Sequence, residues 1–184
     1  FPYAILVNKQ GQRFTDEGIT TIDEQYEEVA RKIFYNCEDH IAYMITDQTI
    51  YDIPNYEEAL QTDIPAIVAD TLEELAHKIG VPAENLVETV TTFNAACPEG
   101  EFIYNKMDGL ATKGLALNKS NWSISINKGP FVAYPIICCN VFTNGGLATD
   151  VNGRVLTGDQ VAIPGLYAVG ETSGVYYGKY PGGT

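Results

Sequence analysis

The chain has 184 residues, 45% of them hydrophobic, and a formal net charge of -13, enough for one ordinary domain or a small domain plus part of another. No window approaches ~18 consecutive apolar residues, and the start, FPYAILVNKQGQRF, lacks the basic stretch, apolar run and small-residue cleavage site of a secretory signal. Residues 16 to 101 hold 20 Asp/Glu against Arg31, Lys32 and Lys78, and residues 102 to 184 hold 4 acids against 6 bases; this fits two modules and leaves no clustered Lys/Arg for nucleic acid.

YAILVNKQGQRF reads as a strand, a tight turn over Gln10-Gly11 and a second short strand. A helix follows, with Thr21 and Glu24 as a capping box and Tyr26, Val29, Ala30, Ile33 and Phe34 as its buried stripe. HIAYMITD then alternates Ile41, Tyr43 and Ile45 as a half-buried strand does. Thr71 and Glu74 form a second capping box ahead of Leu72, Leu75, Ala76 and Ile79, and Gly80 ends that helix. Pro82 opens the next helix, with Leu86, Val90, Phe93 and Cys97 inward. His77 falls on the polar side and reads as solvated.

From about residue 100 the texture turns to loops, NKMDGLATKGLALNKSNW, and then to β-rich sequence, which places a domain boundary near residue 130. The four cysteines, Cys37, Cys97, Cys138 and Cys139, have no C-x-x-C spacing, and with two histidines in the chain no metal site is expected. Reduced thiols point to the cytoplasm, with Cys138 and Cys139 packed in the apolar run AYPIICCNVF. Asn152-Gly153 between LATDV and RVL is a two-residue hairpin signal, and IPGLYAVGE is a strand running into a Gly-Glu terminus. Ten of the seventeen glycines lie between Gly145 and Gly183. Glycines at strand ends let a backbone approach a ligand closely, and a carboxylate there accepts hydrogen bonds from sugar hydroxyls.

The motifs NKQGQRFTDEG, GPFVAYP, FTNGGLATDVNGRVL, IPGLYAVGET and YPGGT, in that order, resemble the succinate dehydrogenase/fumarate reductase flavoprotein family. Within it, KGLALNKSNW, FVAYPIICCNVFTNGGL and YYGKYPGG look closest to tricarballylate dehydrogenase-like proteins and then to 3-ketosteroid dehydrogenases. The resemblance implies an α+β fold in which residues 1 to 130 are a substrate-capping domain and residues 131 to 184 are returning β-strands of a FAD-binding domain. It also implies a FAD site in which Glu171 accepts from ribityl or ribose hydroxyls and Gly170, Gly145, Gly146, Gly182 and Gly183 line the flavin, with Thr143 and Asn144 toward the substrate. The G-x-G-x-x-G turn expected to take the pyrophosphate is absent from the 184 residues, and both ends read as cut, so the chain is expected to be a fragment that carries no flavin by itself.

Three departures narrow the chemistry. The reductases of this family carry a proton-donating arginine in an N-E-x-T-T-R-D run where this chain has Thr21, a histidine where it has Phe142, and an arginine before L-G-G where it has Tyr180. The resemblance therefore favours a dehydrogenase that forms a C=C bond in a small polycarboxylate by hydride transfer to flavin. The alternatives are a ketosteroid dehydrogenase-like or fumarate reductase-like enzyme, or a non-catalytic cap module. Tyr180 and Tyr134 are the candidate catalytic residues. The ketosteroid enzymes place a tyrosine where this chain has Val132, and Tyr134 lies two residues along, on the same strand face. A small-molecule substrate and a separate electron acceptor are the expected partners.

Overall fold

A computed structural model describes residues 1–60, 62–141 and 143–174. It begins with strand β1, Ile5–Val7, whose chain turns over Gly11 and returns as a single bridge, Val7 to Arg13. Gly11 takes φ 75°, a conformation glycine adopts without steric cost. The expected turn is present, and the second strand is reduced to that bridge.

Helix α1, Ile22–Asn36, starts at the expected Thr21, but no side-chain cap forms. Glu24 instead bonds to the Thr20 hydroxyl, so the first capping box is replaced by a neighbouring pair. Val29 and Ile33 are buried as expected, joined by Gln25, while Phe34 is 48% exposed and stacks on His40 at 4.6 Å. Strand β2, Ile41–Asp47, is followed by the short helix α2, Tyr56–Leu60, and strand β3, Ile67–Ala69.

Helix α3, Leu72–Ile79, is capped by Thr71, whose hydroxyl accepts from the Glu74 N–H at 3.1 Å, and ends at Gly80 with φ 71°. Helix α4, Ala83–Ala96, has Pro82 at its N-cap and buries Leu86, Val90 and Phe93; Cys97 follows as its partly exposed C-cap. His77 is exposed, as expected.

Strand β4, Phe131–Ile137, pairs antiparallel with both β2 and β3, giving a four-stranded sheet in the order β1-β2-β4-β3. Both faces of this sheet are covered. Ala4, Leu6, Ala42 and Met44 pack with Val29 and Ile33 of α1, and Ile5, Val7, Ile45 and Ala133 pack with Leu75, Ala76, Leu86 and Val90 of α3 and α4. The period-2 alternation of β2 thus sorts residues between two cores rather than between core and solvent. Because β4 closes this sheet, the first compact unit runs from Phe1 to Cys138, later than the boundary near residue 130 that the sequence texture marks. Cys138 is half-buried, its thiol donating to the Ala30 carbonyl at 2.9 Å, but Cys139 is exposed, which corrects the expectation that both are packed.

The second unit begins at Cys139. Its strands β5, Arg154–Leu156, and β6, Ala162–Tyr167, are antiparallel. The hairpin entering β5 is closed by Gly153 N–H to Asp150 C=O at 2.9 Å and Asp150 N–H to Arg154 C=O at 3.0 Å. Gly153 has φ 75°, and neither Val151 nor Asn152 is left-handed. The loop is therefore a three-residue turn with Gly153 in the bulge position, not the two-residue turn that Asn-Gly signals. No helix of the described residues is long and apolar enough to cross a membrane.

Candidate functional site

In the second unit, β6 leads through Ala168 and Val169 into a single helical turn, Gly170–Thr172. Glu171 lies on that turn, and its Oε1 accepts from the backbone N–H of Thr143 at 2.6 Å. The structure thus brings together Thr143 and Glu171, two of the residues singled out from sequence, across the 28 residues that separate them in the chain. One carboxylate oxygen is committed to the protein. Asn144 is exposed beside them.

The glycines divide by what a side chain at each would meet. At Gly145 (φ 96°) and Gly170 (φ 61°) a Cβ finds no described atom within 4 Å. Both positions leave backbone open to a ligand while requiring a conformation that L side chains rarely adopt. At Gly146 a Cβ would lie 2.5 Å from the Thr172 carbonyl oxygen and 2.6 Å from the Gly174 nitrogen, because Gly146 forms a bridge with Ser173. Gly146 is thus required by chain packing, whereas Gly145 and Gly170, the other described glycines of this set, leave space beside their backbone. Tyr180, Gly182, Gly183 and Phe142 lie outside the described residues.

The first unit holds a cavity of about 310 Å³. Met44 of β2, Ile50 and Ile53 of the following turn, and Tyr56, Ala59 and Leu60 of α2 form one wall, and Thr21, Ile22, Tyr104, Asn105, Lys106 and Trp122 are also in its lining. Tyr134, opposite Met44 in the β2–β4 register, does not line this cavity; it takes a hydrogen bond from the Tyr56 hydroxyl at 3.0 Å. Tyr51 packs edge-on to Tyr56 with ring centroids 5.1 Å apart, and burial, then the neighbouring Tyr134, push its phenol above the ordinary range. The two phenols are thus hydrogen-bonded to each other behind the cavity wall.

Sequence reasoning missed Tyr56, Tyr51 and Trp122, and it missed a buried charge network. Glu17 is fully buried; it accepts from the Leu6 N–H at 2.8 Å and from Arg13 at 2.6 Å. Lys119, 1% exposed, donates to the Ala4 carbonyl at 2.8 Å. Burial pulls its pKa down to about 8, Glu17 opposing and Arg13 adding to the drop. The available signal was the i,i+4 spacing of Arg13 and Glu17 in QRFTDE, but nothing local indicates burial. Among the described residues no three His, Cys, Asp or Glu side chains converge as a metal site does.

A family model described as "FAD binding domain" matches residues 2–184. The chain is similar to an NADH:acrylate oxidoreductase of Vibrio harveyi, 35% identical over 97% of this chain and 16% of the relative. It is also similar to a 4-oxocyclohexanecarboxylate 2-dehydrogenase of Sinomonas cyclohexanicum, 34% identical over 98% of this chain and 33% of the relative. Its fold matches the open conformation of a flavocytochrome c3 fumarate reductase with a TM-score of 0.69, at 24% identity over 93% of this chain and 28% of that one. The chain therefore spans a third or less of the length of these relatives.

Proposed function

This chain belongs to the FAD binding domain family of succinate dehydrogenase/fumarate reductase-like flavoproteins, and from that premise we propose that the protein containing it is a FAD-dependent dehydrogenase of a small organic acid, forming a carbon–carbon double bond beside a carboxyl or carbonyl group. The observation that carries this reading is the Thr143–Glu171 hydrogen bond flanked by two glycines with open backbone. That arrangement suits a polyhydroxylated chain, because Glu171 has an acceptor oxygen to spare and Gly145 and Gly170 permit close approach.

Bound FAD would supply the hydride acceptor. The remaining roles fall to the chain's own residues. Glu171 would hold the cofactor's hydroxyls, and Thr143 and Asn144 would stand toward the substrate. In the first unit, read here as the substrate-capping domain, the Tyr56–Tyr134 pair would carry away the proton from the carbon next to the one that loses hydride. Tyr134 then acts through Tyr56, and Tyr180 stays a candidate for direct contact. Two substrates are in play. The departures from the reductase pattern suggested a small polycarboxylate, whereas the apolar wall of the cavity favours a bulkier carbonyl compound.

The test uses the full-length flavoprotein. Glu171→Ala should weaken FAD retention by about ten- to a hundredfold, the loss expected for a charge-assisted hydrogen bond worth about 1.5–3 kcal/mol. Unchanged FAD affinity in that variant would sink the cofactor role and return Glu171 to tying down residue 143.

A further inference from the structure

We propose that Cys37 and Cys138 form a redox-modification site, at which a small hydroperoxide such as hydrogen peroxide joins them in a disulfide that fastens the end of α1 to the end of β4.

The two side chains enter one apolar layer from opposite sides. All four cysteines are thiols in the structure. Val29 and Ile33 on α1 and Cys37 at its C-cap recur at every fourth residue, and all three are buried. On the sheet side, Tyr134, Ile136 and Cys138 alternate onto one face and pack against that line. The backbone brings the two cysteines to the same end of the layer. In the β2–β4 register Ile41 stands opposite Ile137, so Cys138 comes one residue past the last pair, level with His40, whose N–H closes a turn on the Cys37 carbonyl at 3.1 Å. The Cys138 thiol also reaches α1 itself, 2.9 Å from the Ala30 carbonyl oxygen, about two turns before Cys37. Burial first, and then the neighbouring Cys138, lift the Cys37 thiol above its ordinary range. A disulfide needs its Cβ atoms facing one another across about 4 Å. The shared layer supplies the facing, and closure falls on Cys138, where a small backbone movement breaks no pair of the sheet.

Exposure sets the order of events. Cys138 is half-buried and Cys37 is buried, so the oxidant meets Cys138 first. The Cys138 sulfur attacks one peroxide oxygen; an S–O bond forms, the O–O bond breaks, and with the thiol proton the other oxygen leaves as water. The Cys37 sulfur then attacks that sulfenic sulfur, the S–S bond forms, and the hydroxyl leaves with the Cys37 proton as a second water. Two thiols are oxidised by two electrons and one peroxide is reduced to two waters. Burial slows ionisation of Cys37, but the second step is intramolecular, and held proximity offsets that. Cys139 is exposed and takes no part in the layer, so its oxidation closes no bridge. The disulfide spans about one hundred residues, a loop length at which cross-linking restricts the unfolded chain strongly. Oxidation thus locks the first unit.

The reduced 184-residue chain is treated with hydrogen peroxide near pH 8, where thiolate is available, blocked with iodoacetamide and digested with trypsin. The expected product is a monomer lighter by about 2 Da before blocking, with Ile33–Lys78 joined to Gly129–Arg154, the peptides that carry Cys37 and Cys138. The second peptide also holds Cys139, so Cys139→Ser assigns the link, which should form unchanged in that variant. Cys138→Ser should abolish it with the far-ultraviolet circular dichroism preserved. The bridge should raise the thermal midpoint by about 5–10 °C, and dithiothreitol should reverse the rise.

A chain that forms no link between those two peptides overturns the proposal, as does a link that disappears in Cys139→Ser or one that runs to Cys97. A midpoint lowered by the bridge also overturns it, because the disulfide would then form only by distorting the fold.

Discussion

The first unit covers both faces of its sheet, whereas the described residues of the second bury little of its hairpin. Between α1 on one side and α3 with α4 on the other, Ile5, Leu6, Val7, Ala42 and Ile45 are at most 1% exposed. In the second unit, Val155 and Ala168 are the buried apolar residues among those described, while Val151, Val161, Tyr167 and Val169 are exposed, Val151 completely. Two strands with open faces are marginal on their own, whereas a sheet enclosed by helices carries its own core. The difference predicts that the first unit stays folded when the described part of the second opens.

The strongest way to break that comparison is to attack the first unit where its chemistry is least forgiving. Glu17→Ala removes the carboxylate that the Leu6 N–H and Arg13 share and leaves a buried guanidinium whose remaining partners are the Leu117 and Thr15 carbonyls. Breaking a buried pair from one side costs about 3–5 kcal/mol. The denaturant midpoint followed through Trp122 should fall accordingly. A loss below about 1 kcal/mol would mean that the network behaves as a surface pair and that the first unit is looser than its packing indicates.

A smaller effect is expected in the second unit. Gly146→Ala forces a Cβ against backbone atoms at 2.5 and 2.6 Å and should cost about 1–3 kcal/mol. Gly170→Ala meets open space, and its cost is confined to the left-handed φ, about 1 kcal/mol. Limited proteolysis within residues 139–174 is the readout, since each 1.4 kcal/mol raises the open population about tenfold. Both variants should leave the Trp122 midpoint unchanged. A matching fall in that midpoint would show the two units to be one cooperative body.

What was legible in the sequence divides along the same line. The α3 and α4 stripes, the Thr71 cap and the Gly80 terminus were readable because those signals are local and nothing distant competes with them. Phe34 was placed inward by its spacing and lies outward because α1 meets the sheet along the narrower Val29–Ile33 line. The boundary near residue 130 was drawn at a change of texture, but β4 is joined to β2 from across about ninety residues of chain, and no local pattern records such a pairing. In the candidate site, Glu171 was singled out because a carboxylate at a strand end is conspicuous and the family resemblance gives that position a role. Tyr56 was not, because in a chain of twelve tyrosines only the fold shows which one reaches Tyr134.

The smallest expected effect is a pH dependence that belongs to the first unit. Burial holds the Lys119 ammonium at a pKa of about 8, against 10.5 for an unperturbed lysine. Between those values the unfolded chain binds a proton that the native chain does not, so this group makes stability rise with pH, by at most ~1.4 kcal/mol per unit. Below about 8 both states are charged and the burial cost is present in full. The groups facing Lys119 are Glu17, Arg13, Asp16, Cys97 and the amino group of Phe1. Burial raises the Cys97 and Cys37 thiols above their usual 9, so near and above that pH the unfolded chain gives up thiol protons first and stability falls. The clean window is therefore between about pH 8 and 9. Lys119→Met keeps the length of the side chain and its contact with Phe93 while removing the titration. The difference in unfolding midpoint between native chain and variant should shift in favour of the native chain from pH 8 to 9. Hydrogen exchange of the amides in residues 139–174, after correction for intrinsic rates, should stay constant over the same interval. A pH-independent difference would place Lys119 in contact with water, and a parallel change in the second unit would couple the two units through this charge.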